Sequence, residues 1–444
     1  MADTFKRMTT EPIPKLICRM ALPTITIMMV SALYNMADTY FVGSLGTRAT
    51  AAVGISFSLM AIIQAVGFFF GHGAGNSISR ALGAQNPQDA EKMAATGFFT
   101  AFSIGLVIAI TGRVFLSPFA RLLGATDTIL PYARDYLSCI FLAAPFMVSS
   151  LMLNNLLRFQ GRALLGMIGM TCGAIVNIAL DSLFIFVLHL GVKGASLATM
   201  ISQILSCIVL FIICNTGQDR VPVLLRNCEL TLGKYKEIVR GGIPSLLRQT
   251  LLSLSTILLN QAAGPYGDEV IAAISIVYRV FLMASSALLG FGQGFQPVCG
   301  FNYGAKQYGR VKSAFWFCVR LSTVVLTILG IFCFIGAPHI IGLFRKDDPE
   351  VIRIGARALR IQCFTFPLAG WIVINNMMLQ TMGKAIPASV LAFARQGLFL
   401  IPLIFTLVPI LGVWGIQLCI PIADLCTFMV ALPLGIAVLH KDLG

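Results

Sequence analysis

Twelve long apolar runs, separated by short polar breaks, dominate this chain of 444 residues. A helix needs about 20 apolar residues to cross the roughly 30 Å of hydrocarbon in a bilayer. Hydrophobic residues make up 57% of the sequence and charged residues only 11%, more apolar surface than a soluble protein of this size can bury. The pattern therefore predicts an all-α integral membrane protein with twelve transmembrane helices. We place the spans at about 14–42, 51–80, 93–117, 129–156, 163–188, 193–214, 236–263, 270–300, 311–337, 351–380, 387–408 and 413–438.

The remaining composition excludes other classes of protein. The formal net charge is +14, yet no Lys/Arg-rich helix is present, so we expect no nucleic-acid partner. The 12 cysteines are scattered without a CxxC pair, which predicts neither a disulfide framework nor a zinc site, and we expect no cofactor. The N-terminal segment MADTFKRMTTEPIPKLICRM lacks a short apolar core with a small-residue cleavage site, so we expect no removed signal peptide.

Positive charge predicts the orientation. Lys and Arg are more frequent in the segments on the side of the two termini than in the loops on the other side. Because cytoplasmic loops carry this excess, we expect both termini in the cytoplasm. The richer segments contain Lys6, Arg7, Lys15, Arg19, Arg80, Lys92, Arg158, Arg162, Arg220, Arg226, Lys234, Lys236, Arg240, Lys306, Arg310, Lys312, Lys384 and Lys441; the other loops contain Arg48, Arg113, Arg121, Lys193, Arg345, Lys346 and Arg353.

The chain also repeats itself at one constant offset, the one that separates Pro23 from Pro244. The same offset aligns Gly-His-Gly at 71–73 with Gly-Gln-Gly at 292–294, and the Asn pair at 154–155 with that at 375–376. Six spans per half is an even number, so both halves enter the membrane in the same sense. A parallel repeat predicts two six-helix lobes related by a pseudo-twofold axis along the membrane normal, with a cleft between them, as in transporters. We assign residues 1–214 to the N-lobe, 215–235 to a cytoplasmic linker and 236–444 to the C-lobe.

Four polar side chains are predicted to share the outer part of the first lobe. Asp38 lies about one turn from the outer end of the first span, and Asn177 and Asp181 share one face of the fifth. Thr199 lies about two turns into the sixth span. Two carboxylates, an amide and a hydroxyl suit either a hard cation or a shared proton, and buried carboxylates in a membrane are costly unless they have a function.

The repeat offers a test of that interpretation. The offset carries Asp38 to Leu259, Asn177 to Leu398, Asp181 to Pro402 and Thr199 to Ile420. Since a polar set needed only for folding would be expected in both lobes, its restriction to one favours an ion site. The alternative is that Asp181 and Asn177 only hold helices together through hydrogen bonds.

The charged residues within the spans of the second half are mostly basic, whereas those of the first half are acidic. Arg395 and Asp424 are expected to pair between the eleventh and twelfth spans, and Arg357 and Arg360 to lie near an outer end. Arg248 and Gln249 are expected either to line the cleft or to join a structural network. The intramembrane charges of this half are Arg248, Arg279, Arg320, Arg357, Arg360, Arg395 and Asp424. In the first half, His72 lies between two glycines and is expected to be a helix-packing residue.

These features resemble one family of transporters. Twelve spans in parallel halves, Pro-x14-Asp at 23–38, NIALD at 177–181 and NYGA at 302–305 are similar to the multidrug and toxic compound extrusion (MATE) family. The resemblance covers about 14–438, and the segments GGIPSLLRQ and GFGQGFQPVCGFNYGA are most similar to its MepA-like bacterial branch.

The resemblance implies a secondary active efflux transporter rather than an enzyme. It implies export of cationic or amphipathic compounds from the cell through the plasma membrane, the inner membrane of a bacterium, by antiport with Na⁺ or H⁺. Asp38 would be central to coupling, with Asn177, Asp181 and Thr199 beside it as the cation ligands if the ion is Na⁺. The cleft or its gates would include Pro23, Tyr34, Asn35, Tyr136, Asn154, Arg248, Gln249 and Arg279. Acids that some branches carry in the seventh and tenth helices are missing here, so coupling through the second lobe is not expected.

Several alternatives stay open at this point. A flippase for a lipid-linked precursor is the second candidate, because Arg248 and Arg279 could bind phosphate. An intramembrane prenyltransferase would need a DDxxD motif within a span, whereas the chain's only Asp-Asp pair, Asp347-Asp348, lies in a predicted outer loop. The residues leave Na⁺ against H⁺ undecided. Small-molecule substrates and membrane lipid are the expected partners, and we expect a monomer.

Overall fold

The computed structural model describes the backbone of residues 2–43, 45–217, 220–344 and 348–443, with their side chains apart from residues 2, 32–40, 47 and 268. Within these residues the fold is helical and contains no strand. The α-helices are α1 Ala2–Thr10, α2 Ile13–Gly43, α3 Thr47–Gly83, α4 Pro87–Val114, α5 Leu116–Leu122, α6 Leu130–Phe159, α7 Ala163–Ser182, α8 Gly191–Asn215, α9 Leu232–Ala263, α10 Asp268–Gly304, α11 Tyr308–Phe344, α12 Pro349–Cys363, α13 Phe366–Thr381, α14 Ala385–Phe393, α15 Ile401–Leu411 and α16 Val413–Lys441. Two π-helical segments, Leu183–Val187 and Ala394–Leu400, follow α7 and join α14 to α15.

The twelve predicted spans are confirmed, with one of them broken. Among the described residues, eleven helical segments are long and apolar enough to cross a membrane, and α12 with α13 makes a twelfth that bends by 53°. Pro367 lies in the first turn of α13. Because proline lacks an N–H and its ring clashes with the carbonyl four residues earlier, α12 cannot continue past Cys363. The sequence prediction treated 351–380 as one continuous span and missed this bend.

The structure also contains two short helices that the sequence prediction left out, α1 and α5. The predicted linker, 215–235, overlaps the start of α9 at Leu232. Its described part packs on the first lobe, because Val221 and Val223 are buried and the Val223 N–H donates to Asn215 Oδ1 at 2.9 Å. Asp348 accepts from the N–H groups of Glu350 and Val351 at 3.1 and 3.2 Å and thereby caps α12; its sequence neighbour Asp347 lies outside the described residues.

The two halves repeat at the level of backbone angles. Gly46 and Gly267, which the sequence repeat aligns, both have φ of 103°, and the aligned pair Gly191 and Gly412 have φ of 59° and 58°. Gln85 and Lys306 are aligned in the same way and have φ of 57° and 59°, a conformation that non-glycine residues adopt only uncommonly. The same turns therefore connect the same spans in each half, as expected for two copies of one lobe.

We call the side of the membrane where α2 begins and α16 ends the terminal side, and the opposite side the distal side. The lobes meet at the terminal side through α3 and α10. A Cβ atom added at Gly83 would collide with the carbonyl of Phe301, and one added at Gly304 would collide with that of Arg80. These two contacts are equivalent, since the repeat aligns Gly83 with Gly304 and Arg80 with Phe301. We call this contact the terminal gate, defined by Ser79, Arg80, Gly83, Gly300, Phe301 and Gly304.

Hydrogen bonds add to the terminal gate. Arg80 donates to the carbonyl of Thr381 at 2.7 Å, and the Thr381 hydroxyl donates to Asn76 Oδ1 at 3.0 Å. The N-terminal segment lies across both lobes, because Arg7 donates to the Gly161 carbonyl at 2.9 Å while Asn302 of α10 donates to the Met8 carbonyl at 3.1 Å. Within the part of the chain that the structure describes, every hydrogen bond between the lobes lies on the terminal half.

The buried apolar residues follow the same division. The largest core contains the first lobe and the terminal half of the second, including Phe301 and Phe315. A separate core fills the distal half of the second lobe, around Leu259, Ile341 and Ile416, and contains no described residue of the first lobe. The lobes are thus joined at the terminal side and have independent cores toward the distal side.

Gly83→Ala and Gly304→Ala are expected to loosen the terminal gate. Each adds a methyl group against a carbonyl of the opposite lobe, and overpacking of this kind costs about 1–3 kcal/mol. That shifts the lobe equilibrium about 5- to 150-fold away from the closed gate. Hydrogen–deuterium exchange should become faster in peptides that cover 76–86 and 297–307. Gly54→Ala in the same α3 is the control, because no atom lies within 4 Å of its added Cβ. Unchanged exchange in the folded gate variants would contradict the expectation.

Candidate functional site

Asn177 and Asp181 lie on α7 and Thr199 on the neighbouring α8, which packs along it. All three side chains are buried, with exposures of 1%, 0% and 0%. The four-residue spacing of Asn177 and Asp181 places them on one face, and that face is turned toward the interior of the first lobe. The structure therefore brings together three of the four residues predicted to form an ion site.

Most of the contacts within this group involve side-chain oxygen atoms. With its amide nitrogen turned to the carboxylate, Asn177 donates to Asp181 Oδ2 at 3.1 Å and accepts from the Thr199 N–H at 3.2 Å. The Thr199 hydroxyl lies 3.4 Å from the Asn177 side-chain amide. A carboxylate, an amide oxygen and a hydroxyl are hard ligands suited to Na⁺, and the same carboxylate can take up a proton.

The helix changes its winding immediately after Asp181. The π-helical segment Leu183–Val187 begins two residues later, and such segments occur often at functional sites. Phe186 of this segment packs edge to face with Phe41 of α2 at 5.9 Å between ring centroids. The distal end of α2, the helix that carries Asp38, is thereby held against the end of α7.

The other predicted residues of the first lobe are spread along it. The side chains of Tyr34, Asn35 and Asp38 lie outside the described residues, although α2 contains all three. Tyr136 of α6 is fully buried, and its hydroxyl lies 3.8 Å from the sulfur of Met60.

Two further predicted residues lie toward the terminal side. Pro23 is buried within α2. Asn154 of α6 lies against Gly166 of α7. At 1.5 Å per residue, Gly166 is about 16 Å along α7 from Asn177. Asn154 is therefore not part of the group around Asp181.

In the second lobe, Arg248 and Gln249 are half-buried on α9, whereas Arg279 on α10 is exposed. Arg248 reaches toward the first lobe, where its charge acts on both Arg158 and His72. Among the described residues it has no ion-pair partner. Arg248 and Arg279 thus occupy different environments and do not form one site.

A buried network that the sequence prediction missed lies next to Arg248. Arg158 of α6 is 2% exposed, and its Nη2 lies 3.1 Å from His72 Nε2 and 2.6 Å from Asn155 Oδ1. His72 Nδ1 lies 3.1 Å from the Phe68 carbonyl, which favours a proton on Nδ1 and leaves Nε2 as the acceptor for Arg158. His72 also packs edge to face against the ring of Phe159, with 6.1 Å between ring centroids. The sequence analysis counted Arg158 only as a loop charge, because it comes just after the end of the predicted span.

The predicted pair between Arg395 and Asp424 is confirmed. Arg395 Nε donates to Asp424 Oδ1 at 2.6 Å, between the π-helical segment Ala394–Leu400 and α16. Gln362 and Thr365, at the bend between α12 and α13, each lie 3.3 Å from Asp424 Oδ2. The carboxylate is 2% exposed and joins three parts of the second lobe.

The comparison with protein families agrees with the repeat. The MatE family model matches residues 23–183 and matches again at residues 244–406, so its two matches begin at the aligned prolines Pro23 and Pro244. Together the two matches cover most of the chain. The chain belongs to the MatE family.

Relatives of known type align over nearly the whole MatE chain. The multidrug export protein MepA of Staphylococcus haemolyticus strain JCSC1435 is 27% identical over 417 residues, 94% of this chain and 92% of the relative. MepA of Staphylococcus aureus strain N315 is 28% identical over 415 residues, 93% and 91% of the two chains. The MepA-like resemblance inferred from the second-half segments is confirmed.

Solved structures of MATE transporters superpose closely on the chain. A MATE crystal structure in complex with MaL6 has a TM-score of 0.92 at 25% identity, covering 99% of this chain and 98% of that one. An outward-facing multidrug resistance MATE transporter has a TM-score of 0.91 at 25% identity, with 98% of each chain covered. A Pyrococcus furiosus transporter of the MOP superfamily, described as having a binding pocket of reverse polarity that suggests a different function, scores 0.91 at 26% identity and covers 98% of each chain. The protein is thus a multi-pass membrane transporter and not an enzyme.

Breaking the Arg395–Asp424 pair of this MatE chain should destabilise the second lobe. Asp424→Leu leaves a buried guanidinium without its partner, at a cost of about 3–5 kcal/mol. The double variant Arg395→Met/Asp424→Leu should recover most of that loss. Thermal unfolding in detergent measures both. Arg353→Met, which breaks the exposed pair with Glu350, is the control and should change stability by less than about 1 kcal/mol. Equal losses in the single and double variants would contradict a stabilising pair.

Proposed function

We propose that the protein exports cationic or amphipathic compounds by antiport with Na⁺ or H⁺ and belongs functionally with the multidrug export proteins that it resembles. The observation that carries the proposal is the buried group of Asp181, Asn177 and Thr199 in one lobe only. Its counterparts in the other lobe are Pro402, Leu398 and Ile420. An ionisable group buried in a membrane protein is costly, and its position in a single lobe of a repeat favours a specialised role.

Coupling is proposed to use the charge of this group. Uptake of Na⁺ or a proton by Asp181 and Asp38 removes negative charge from the first lobe and allows it to repack. Release of the ion restores the charge and favours a cationic compound in the cleft. Antiport follows because ion and compound then stabilise different states of the same equilibrium.

The closed terminal gate supports a proposal for which state of the transport cycle the described conformation represents. The excess of Lys and Arg on the terminal side favours a cytoplasmic location for both termini. In that orientation the described conformation is closed toward the cytoplasm, the state in which the ion would enter from outside. At its centre the gate packs glycines against carbonyls, which suits a contact that has to separate in every cycle.

The decisive experiment is dye efflux from proteoliposomes under a Na⁺ gradient or a pH gradient imposed separately. Asp38→Asn and Asp181→Asn are expected to reduce uphill efflux to the level of protein-free liposomes while insertion and folding survive, because neither amide can exchange charge with the solution. Efflux driven by Na⁺ alone would identify a metal-ion site, and efflux driven by the pH gradient alone a proton site.

Asp127→Asn is the matched control. Asp127 is an exposed carboxylate that pairs with Arg121 at 2.8 Å outside the spans. Its loss should leave efflux unchanged. Near-normal uphill efflux by folded Asp38→Asn and Asp181→Asn would rule out the proposed coupling group.

A second candidate function is supported by a different group of side chains. Arg248 and Arg158 bring two cationic groups together beside the neutral His72, near the base of the cleft and without a described carboxylate. Such a group favours an anionic headgroup, and a flippase for a lipid-linked precursor is the alternative function.

Binding of a diphosphate-linked polyprenol to the purified protein separates the two candidates. Saturable binding that Arg248→Gln abolishes, together with absence of dye efflux under either gradient, would favour the flippase. Dye efflux without lipid binding would favour the multidrug transporter.

A further inference from the structure

A groove on the distal half of the second lobe lies apart from the Asp181 group and from the terminal gate. Its volume is about 480 Å³, within the range of ligand-binding pockets. It is formed by α11, α12 and α16. Its lining includes Phe334, Arg357, Arg360, Ile361, Phe364 and Trp414. None of these helices carries the Asp181 group or the terminal gate.

Two arginines in the groove are held by aromatic rings rather than by carboxylates. The guanidinium of Arg357 lies 4.6 Å from the ring centroid of Trp414, and that of Arg360 lies 5.7 Å from the ring of Phe334. Arg360 Nε also donates to the Phe334 carbonyl at 3.2 Å. Over the described part of the chain neither guanidinium has an ion-pair partner, so N–H groups of both are available to a ligand.

The third arginine of this helix face is already neutralised. Arg353, one turn before Arg357, pairs with Glu350 at 2.5 Å. Among the described residues, the groove therefore has two positive charges without a carboxylate partner beside apolar side chains. Phe364 and Trp414, which are 73% and 50% exposed, extend that apolar surface to the outside of the protein.

The depth of the groove matches the boundary of a bilayer. α11 has 37 residues and is about 55 Å long, whereas the hydrocarbon is about 30 Å thick. A helix centred in the membrane would extend by about 12 Å on each side, and Phe334 lies about 15 Å from its distal end. Arg360 at Phe334 is thus close to the hydrocarbon boundary, and Arg357 lies further toward the headgroups. Trp414, the second residue of α16, has the position typical of interfacial tryptophans.

The repeat shows that the fold itself does not require these side chains. The positions equivalent to Arg357, Arg360 and Phe334 in the first lobe are Tyr136, Cys139 and Arg113. Tyr136 and Cys139 are buried, at 0% and 5% exposure. At the two positions of Arg357 and Arg360, the same backbone therefore packs a buried tyrosine and a buried cysteine in the first lobe and exposes arginines in the second, which indicates a role particular to the second lobe.

We propose that this groove binds an anionic phospholipid of the distal leaflet. Its phosphate accepts hydrogen bonds from Arg357 and Arg360, and an acyl chain lies along Phe334, Ile361 and Phe364. Arginine suits this ligand, because its planar guanidinium binds phosphate through two parallel hydrogen bonds. A zwitterionic lipid would bring its own cation toward two arginines, so the groove selects for net negative headgroups.

Native mass spectrometry of the full chain tests the proposal. The protein is mixed with equal amounts of phosphatidylglycerol and phosphatidylcholine that have the same acyl chains. We expect phosphatidylglycerol to be retained preferentially, by about fivefold for each arginine that contacts it. Arg357→Gln/Arg360→Gln should bring that preference close to unity.

The matched control is Arg48→Gln/Arg113→Gln. It removes the same charge from exposed residues of the distal half of the first lobe, neither of which lines the groove. Its lipid preference should equal that of the wild type. If the groove variant retains the preference, or if control and groove variants lose it equally, the proposal is wrong.

A second measurement locates the lipid and does not depend on the arginine variants. Phosphatidylglycerol brominated on its acyl chains should quench tryptophan fluorescence more strongly than brominated phosphatidylcholine does. The difference should disappear in Trp414→Phe, which retains Trp316 and Trp371. A difference that persists in that variant would place the bound lipid elsewhere and overturn the assignment.

Discussion

The backbone contact between α3 and α10 controls the arrangement of the rest of the molecule. At Gly83 and Gly304 each helix lies against a carbonyl of the other, and no side chain would fit between them. This contact brings Arg80 to the Thr381 carbonyl and allows the N-terminal segment to bond both lobes. It also brings α9 alongside α3. Arg248, which lies on α9, is thereby close enough to Arg158 and His72 for its charge to act on them. Because the gate consists of two equivalent contacts related by the repeat, we expect both to form or separate together.

The two lobes share a backbone but differ in where they bury polar groups. The first lobe buries Asn177, Asp181 and Thr199, and the second buries Asp424 with Arg395. Within hydrocarbon a polar group without a partner costs several kcal/mol. Each of these sets is satisfied largely within its own lobe, so the lobes can move relative to one another without breaking it. The groove at Arg357 and Arg360 adds a third difference, on the surface that meets the lipid.

Most of the architecture could be predicted from the sequence, and the side-chain networks could not. The spans followed from the length of apolar runs, and the repeat from constant spacing. The Arg395–Asp424 pair was predictable because Asp424 was the only acid assigned to the interior of a second-lobe span. The bond from Arg158 to His72 was not, since it joins α6 to α3 across 86 residues and depends on how the two helices face each other. The bend before Pro367 was missed because the residues around it are apolar, so the hydropathy of the sequence does not fall where the helix breaks.

The sequence by itself determined the number of spans, the parallel repeat and the confinement of Asn177, Asp181 and Thr199 to one half, because apolar length and residue spacing are properties of the chain in one dimension. Tertiary structure decided which of the polar residues meet. It joined Asn177 to Asp181 and Thr199 and placed Arg357 and Arg360 beside Trp414 and Phe334. It also placed Asn154 of α6 against Gly166, which lies about 16 Å along α7 from Asn177. The reason is physical: the rotation and tilt of each helix are set by packing against its neighbours, and a few degrees of rotation decide whether a side chain faces lipid, cleft or core.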